Sequence, residues 1–214
     1  MDFEKYIKLV NYYFENDNRE ENLQNRVMIP FLEDLYEDLC VVDTSKLTKG
    51  WNRRKISIDR DKFAGLYTPD LLIASKWKLF KTGEAIEYKA LIEIKTPTAN
   101  DRDHALLEIT EYLEKVPFVI LTDCITWEFF MRKEKITYYK MLSLEEEHQI
   151  KLKHAVIKYP SNVCKRKGKA PISWNNRNWE IIKNIIKNFY IDKDDTTILQ
   201  QNINFSLIKL EGLK

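Results

Sequence analysis

The sequence predicts an α/β (α+β) fold in which helices flank a central mixed β-sheet. Amphipathic helical patterns open the chain and recur near its end, and short apolar runs of strand length fill its middle. With 214 residues, 44% of them hydrophobic, the chain can bury one sizeable core. We therefore expect one principal domain over residues 1–142, with residues 143–214 as a helical and strand extension packed on it.

Two amphipathic helices are predicted at the start of the chain. Residues 2–15 place apolar side chains at helical spacing, and residues 20–39 do the same after a polar break at residues 16–18. The apolar positions are Tyr6, Leu9, Val10 and Tyr13 in the first helix and Leu23, Val27, Phe31, Leu32 and Leu35 in the second. The second helix should pack on the sheet, which we expect to begin at residues 39–42.

The middle of the chain predicts the strands. Residues 70–95 form two strands joined by a hairpin with Gly83 in its turn. A helix over residues 101–116 then leads to a strand at residues 118–122, which should lie parallel to residues 90–96. The remaining predicted elements are a hairpin of residues 126–132 and 136–141, a helix opened by a capping box at Ser143 and Glu146, and a helix over residues 173–190.

Two of the strand runs, residues 69–74 and 90–97, carry an acidic residue where a core strand is normally apolar. A carboxylate in such a run is costly unless it is paired, hydrogen-bonded or bound to a cation. Side chains alternate across a strand, so Glu93 and Lys95 share one face while their apolar neighbours point to the other, toward a core. If the strands pair antiparallel with Asp70 opposite Glu93, two carboxylates and one ammonium converge.

This combination of charges has a definite chemistry. Two carboxylates with retained waters suit Mg²⁺ or Mn²⁺, and a neighbouring lysine can orient a water or offset charge on a phosphate. The pattern thus indicates metal-assisted hydrolysis of a phosphodiester. The Glu-x-Lys triplet is weak evidence by itself, because the chain is 32% charged and Glu87-Tyr88-Lys89 repeats it. The structural alternative is an edge-strand carboxylate, Glu93, with Lys95 as its partner.

Four ordered pieces of the sequence resemble a known family. Pro69-Asp70, 22 intervening residues and Glu93-Ile94-Lys95 resemble the signature of the PD-(D/E)XK nuclease superfamily. The flanking segments are similar to one branch of it, the N-terminal nuclease domain of type I restriction enzyme R subunits. Those segments are residues 21–32, a polar helix at residues 103–115, the Thr-Asp-ending strand at residues 117–123 and the Trp-containing strand at residues 126–130. The resemblance covers roughly residues 15–131.

The resemblance implies a restriction-endonuclease-like core and a Mg²⁺-dependent (or Mn²⁺-dependent) DNA endonuclease. Asp70 and Glu93 would bind the metal together with the Ile94 carbonyl, and Lys95 would position the attacking water. Glu21 falls where the family brings an accessory acidic ligand, although an exposed helical glutamate is the alternative.

One position departs from the family pattern. The helix after the lysine strand often shows Gln-x-x-x-Tyr, and here Glu108 and Tyr112 meet that spacing. An ionised glutamate cannot donate a hydrogen bond and repels a phosphate. Either Glu108 lies outside the site, or substrate handling differs.

Candidate phosphate contacts come from local basic segments, because 35 basic and 33 acidic residues, a net charge of +2, give no global nucleic-acid signal. The alternative for each segment is a solvated charge run, and for Arg26 an ion pair. The candidates are Arg26, Lys49, Arg53, Arg54, Lys165, Arg166 and Lys167.

Further sequence features limit the expected cellular location and partners of the protein. No run of 18 apolar residues or signal-like N-terminus occurs, and three cysteines lack metal or disulfide spacing, so we expect a cytoplasmic protein without a membrane partner. The glycines permit no G-x-x-x-x-G-K loop, so no ATP-driven motor is expected. The setting would be restriction, defence or a mobile element, with other subunits of a restriction-type complex or a homodimer as open partners.

Two alternatives to a nuclease remain at the level of sequence. One is a catalytically inactive nuclease fold that binds nucleic acid or partner proteins in a larger assembly. The other is a protein-interaction domain in which Asp70, Glu93 and Lys95 form only a structural ion-pair cluster.

Overall fold

A mixed β-sheet organises the described part of the chain, a computed structural model of residues 1–45, 67–75, 87–96, 102–146, 157–158, 172–189 and 204–210. The strands are β1 (Cys40–Asp43), β2 (Leu71–Ser75), β3 (Glu87–Ile94), β4 (Phe118–Thr122), β5 (Thr126–Lys133), β6 (Ile136–Ser143), β7 (Ile157–Lys158) and β8 (Ser206–Lys209), in the sheet order β1-β2-β3-β4-β5-β6-β8-β7. The helices are α1 (Phe3–Asn16), α2 (Glu20–Leu23), α3 (Ile29–Leu35), α4 (Arg102–Leu113) and α5 (Trp179–Asn188), with a π-helical turn (Gln24–Met28) between α2 and α3 and a 3₁₀ turn (Asn176–Asn178) before α5. The predicted mixed α/β class is confirmed.

Strand pairing at the centre of the sheet follows the predicted order. β2 runs antiparallel to β3, and β3 runs parallel to β4 across the connection that contains α4. β5 and β6 form the predicted hairpin, and β1 pairs with β2 as the outermost strand on that side. The turn predicted at Gly83 lies outside the described residues.

The second predicted helix is shorter than expected and contains a π-helical turn. It ends at Leu35 because Tyr36 is extended, with φ −113° and ψ 110°. The π turn over Gln24–Met28 directly precedes the segment that contains Pro30. Proline has no N–H for the carbonyl of Arg26 and its ring crowds that carbonyl, so the wider turn relieves the clash.

The helix predicted to open at Ser143 does not begin there. Ser143 is the last residue of β6 and pairs with Thr126, and its hydroxyl accepts a hydrogen bond of 3.0 Å from the Glu145 N–H. Glu145 then forms an isolated β-bridge with Trp174. The serine therefore shapes a turn at a strand end rather than a helix cap.

Both faces of the sheet are covered by a hydrophobic core. Ile92 and Ile94 pack on one face with side chains from α1, α3 and α5, whereas Leu91 packs on the other face with side chains from α4. The predicted C-terminal helix adds Trp179 to the first core, and β8 pairs with β6. The boundary after residue 142 stays a prediction. The described helices include none that is both long and apolar enough to span a membrane.

Candidate active site

The candidate site lies where β2 begins and β3 ends. Leu71 pairs with Ile92 in the antiparallel register, so the next pair along these strands is Asp70 and Glu93, as the sequence predicted. Asp70 Oδ2 accepts a hydrogen bond of 2.7 Å from the backbone N–H of Ile94. An extended residue points its N–H and C=O to the same side, which places the Ile94 carbonyl on the side of Asp70.

Glu93 is the buried centre of the cluster, with 3% of the residue exposed. Its Oε1 accepts a hydrogen bond of 2.7 Å from Lys95 Nζ, which confirms that the two side chains share a face. Its Oε2 accepts a hydrogen bond of 3.2 Å from the hydroxyl of Tyr112 on α4. Protein donors therefore contact both carboxylate oxygens of Glu93.

Glu108 lies in the same cluster. Its Oε2 is 3.4 Å from Lys95 Nζ, and its Oε1 is 3.3 Å from Nδ1 of His104, which packs edge-to-face on Tyr67 with ring centroids 5.5 Å apart. Glu108 therefore lies close to the predicted site residue Lys95. Residues four apart share a helix face, so Glu108 and Tyr112 both reach β3 from α4.

Burial and like charges perturb both predicted metal-binding carboxylates. Burial raises the pKa of Asp70 to about 7, against the opposing effects of the Ile94 N–H and the Lys95 ammonium. Burial, and then the charge of Asp70, raise the pKa of Glu93 well above its usual range. Carboxylates with shifted pKa values that lie together at a strand end are typical of functional sites.

The pKa values of Lys95 and Tyr112, the cationic and phenolic groups of the cluster, are also shifted. Burial lowers the pKa of Lys95, but the Glu93 carboxylate outweighs burial, so the net pKa of Lys95 is raised. Burial and the Glu93 charge raise the pKa of Tyr112. Lys95 is therefore a permanent cation here, and Tyr112 remains a neutral hydrogen-bond donor.

Helix α2 contributes a carboxylate, Glu20, that the sequence did not single out. The charge of Glu20 acts on both Asp70 and Lys95. Glu20 lies one turn before Gln24, which is buried and has its side-chain Nε2 3.4 Å from the Asp70 carbonyl. Glu21 is exposed, and its role as an accessory ligand stays a prediction.

One of the predicted nucleic-acid contacts lies among the described residues. Arg26 is exposed on the π turn. The other candidates, Lys49, Arg53, Arg54, Lys165, Arg166 and Lys167, lie outside the described residues. All seven stay predictions.

The donor set fits a hard divalent cation. Among the described residues no three His, Cys, Asp or Glu side chains form a metal-holding group, so the protein ligands would be two carboxylates and one carbonyl. Mg²⁺ commonly keeps several waters and takes one or two carboxylates, which matches this set. A cation would also offset the carboxylate repulsion that adds to burial in raising the pKa values of Asp70 and Glu93.

The fold and the site define an α/β protein with a buried carboxylate–lysine cluster at the open end of its central strands. Comparisons with protein-family models, with curated proteins and with solved structures found no match for this chain. A functional assignment therefore depends on the chemistry of the cluster and on the sequence motifs.

Proposed function

We propose that this protein is a Mg²⁺-dependent nuclease, active also with Mn²⁺, that hydrolyses phosphodiester bonds and acts as a DNA endonuclease. The observation that supports it is the convergence of Asp70, Glu93 and Lys95 at one end of the sheet. Carboxylates can hold the divalent cation for metal-assisted phosphodiester hydrolysis, and an ammonium can offset the charge that develops on the phosphate.

Each residue of the cluster has a role in this reaction. Asp70, Glu93 and the Ile94 carbonyl would hold the metal, with the carboxylate of Glu20 or Glu21 as an accessory group outside this set of direct ligands. When bound, Mg²⁺ supplies Lewis acidity and lowers the pKa of a water. Lys95 orients the attacking water and offsets charge on the phosphate, and Tyr112 fixes the orientation of Glu93.

The biological setting of the proposal follows the sequence motifs. The protein would have a restriction-endonuclease-like core and serve restriction, defence or a mobile element in the cytoplasm. DNA would contact the basic segments at residues 49–54 and 165–167, together with Arg26. Further subunits of a restriction-type complex and a homodimer are both compatible with this role.

One observation favours a second function. Lys95 and Tyr112 contact both oxygens of Glu93, an arrangement that also suits a closed ion-pair cluster. A catalytically inactive module that binds nucleic acid or partner proteins is therefore the competing proposal.

The test is cleavage of supercoiled plasmid, single-stranded DNA and RNA oligonucleotides in EDTA, Mg²⁺ or Mn²⁺. We expect cutting only with a divalent cation, and a loss of about 10²–10³-fold in rate in Lys95→Met, because a positioned charge at the developing anion is removed. Lys115→Met, an exposed lysine just after α4, is the matched control and should cut like the parent.

Two results would contradict the proposal in different ways. DNA binding without cutting in any metal would support the inactive module. Cutting that survives Lys95→Met at the parental rate would leave a nuclease whose active site lies elsewhere.

A further inference from the structure

Glu108 holds a buried carboxylate oxygen that the proposed reaction does not use. Its side chain is 13% exposed, and among the described residues its Oε2 is buried without a hydrogen-bond partner. Among the described residues, Lys95 Nζ lies 3.4 Å from this oxygen, an ion-pair distance without hydrogen-bond geometry. A buried acceptor of this kind costs free energy in this state, so a state in which a donor reaches it is favoured by the recovery of that cost.

Lys95 instead donates to Glu93 at 2.7 Å. That bond conflicts with metal binding, because an ammonium and a divalent cation on one carboxylate oxygen repel each other. Movement of the Lys95 ammonium away from the Glu93 carboxylate relieves this repulsion. An ammonium carries three donors on a flexible four-carbon stem, so a small movement of Lys95 is enough to reach a neighbouring acceptor.

We propose that Glu108 is a positioning residue that receives the Lys95 ammonium when a divalent cation binds to Glu93. This inference rests on the proposed function, since it assigns a device for metal loading to the same site. Glu108 itself touches neither the metal nor the substrate; it acts by giving Lys95 a second ionic partner 3.4 Å from its first position. His104, 3.3 Å from Glu108 Oε1, helps to orient the receiving carboxylate.

In this geometry Glu108 affects the affinity for the metal only through Lys95. The neutral amide in Glu108→Gln holds an ammonium less strongly than a carboxylate does, so Lys95 favours Glu93 and competes with the cation, and metal binding should weaken. Without Lys95 there is no competitor, so Lys95→Met should bind metal at least as tightly as the parent. In that background Glu108→Gln should have little further effect, whereas a direct charge or ligand effect of Glu108 would persist.

The test is a double-mutant cycle with Mn²⁺ affinity as the readout, measured by titration calorimetry on the full chain. We expect about tenfold weaker binding in Glu108→Gln, the usual scale for a lost charge-assisted hydrogen bond, and a change below about twofold between Lys95→Met and the double variant. Glu111→Gln, a charge change on the same helix, is the control and should change affinity less than about twofold.

Two outcomes of the cycle overturn the inference: unchanged affinity in Glu108→Gln, or the same tenfold loss when Lys95 is absent. If the variants do not fold, a crystal structure of the parent protein with Mn²⁺ decides. Lys95 Nζ within about 3 Å of Glu108 Oε2, and no longer bonded to Glu93, supports the transfer, whereas Lys95 still on Glu93 refutes it.

Failure of the inference and failure of the nuclease proposal give different results. If the parent protein binds Mn²⁺ and the variants follow the expected cycle but no DNA is cut, the lysine transfer is supported and the nuclease proposal fails. If DNA is cut but the Mn²⁺ affinity does not change in Glu108→Gln, the nuclease proposal is supported and the lysine transfer is refuted. A parent that binds no divalent cation removes both.

Discussion

Asp70→Asn should abolish metal-dependent cleavage and at the same time stabilise the metal-free protein at pH 8. Burial raises the pKa of Asp70 from 3.8 to about 7, so ionising this carboxyl at pH 8 works against folding. Each pKa unit corresponds to about 1.4 kcal/mol, and three units set an upper limit of about 4 kcal/mol. We expect asparagine to add about 2–4 kcal/mol to the free energy of unfolding at pH 8, because its oxygen still accepts the Ile94 N–H.

The pH dependence has a defined sign. Between pH 3.8 and about 7 the unfolded chain has released the Asp70 proton while the folded protein retains it. The folded state therefore binds more protons, and stability falls as pH rises through this window. The raised pKa of Glu93 acts in the same direction, and removing the Asp70 charge relieves it in part. The parent and Asp70→Asn should have similar stability near pH 4 and diverge up to pH 8.

Urea unfolding at pH 4, 6 and 8 in EDTA measures this divergence. Asp38→Asn, an exposed aspartate, is the control and should differ from the parent by less than about 0.5 kcal/mol. With Mg²⁺ in place of EDTA the parent should gain stability by mass action, and Asp70→Asn should not. A variant that is destabilised equally at all three pH values would contradict a raised Asp70 pKa, because the difference would then not depend on ionisation in this range.

The predicted part of the site depends on short-range pattern. Alternation along one strand places Glu93 and Lys95 on the same face, and the antiparallel register of β2 and β3 brings Asp70 opposite Glu93. The parallel pairing of β3 with β4 follows from the crossover that contains α4. These features need only the residues of each element and the handedness of the connection.

The missed part depends on how helices sit on the sheet. Gln24 and Glu20 lie one helical turn apart and meet Asp70, but which face of the helix packs against β2 is not encoded in the local pattern. The contact of Glu108 with Lys95 requires the placement of α4 over β3, which no local pattern encodes. Glu128 is likewise buried, although the sequence of its strand is mostly apolar. Its carboxylate accepts a hydrogen bond of 2.7 Å from the hydroxyl of Tyr139, which lies on the neighbouring strand β6.

The aromatic cluster around Phe31 joins the helices that support the site to the sheet and to the C-terminal segment. Phe31 on α3 is fully buried, and its ring lies 5.1 Å from that of Tyr6, 5.6 Å from Trp127 and 5.2 Å from Trp179. Those three partners lie on α1, β5 and α5. The N-terminal helices, the sheet and the extension after residue 143 thus share one packed centre.

Phe31→Ala should lower the free energy of unfolding by about 3–5 kcal/mol, the usual cost of a large cavity in an aromatic core. The loss should appear as a fall of roughly 10 °C in melting temperature, because about 1 kcal/mol corresponds to 2–4 °C in a domain of this size. Thermal unfolding followed by tryptophan fluorescence and by far-ultraviolet circular dichroism measures it. Tyr12→Ala is the control, since Tyr12 is 60% exposed, and should change stability by about 0.5 kcal/mol or less.

The two probes also test how the C-terminal segment is attached. Trp179 and Trp127 contact Phe31 from either side of residue 143, so both should report the same transition as the backbone signal. Coincident transitions that shift together in Phe31→Ala mean that residues after 143 unfold with the core. Separate transitions, with only one of them shifted, would mean that the extension is an independent unit. Its packing would then contribute little to holding α3, and through it Gln24 and Glu20, against the start of β2.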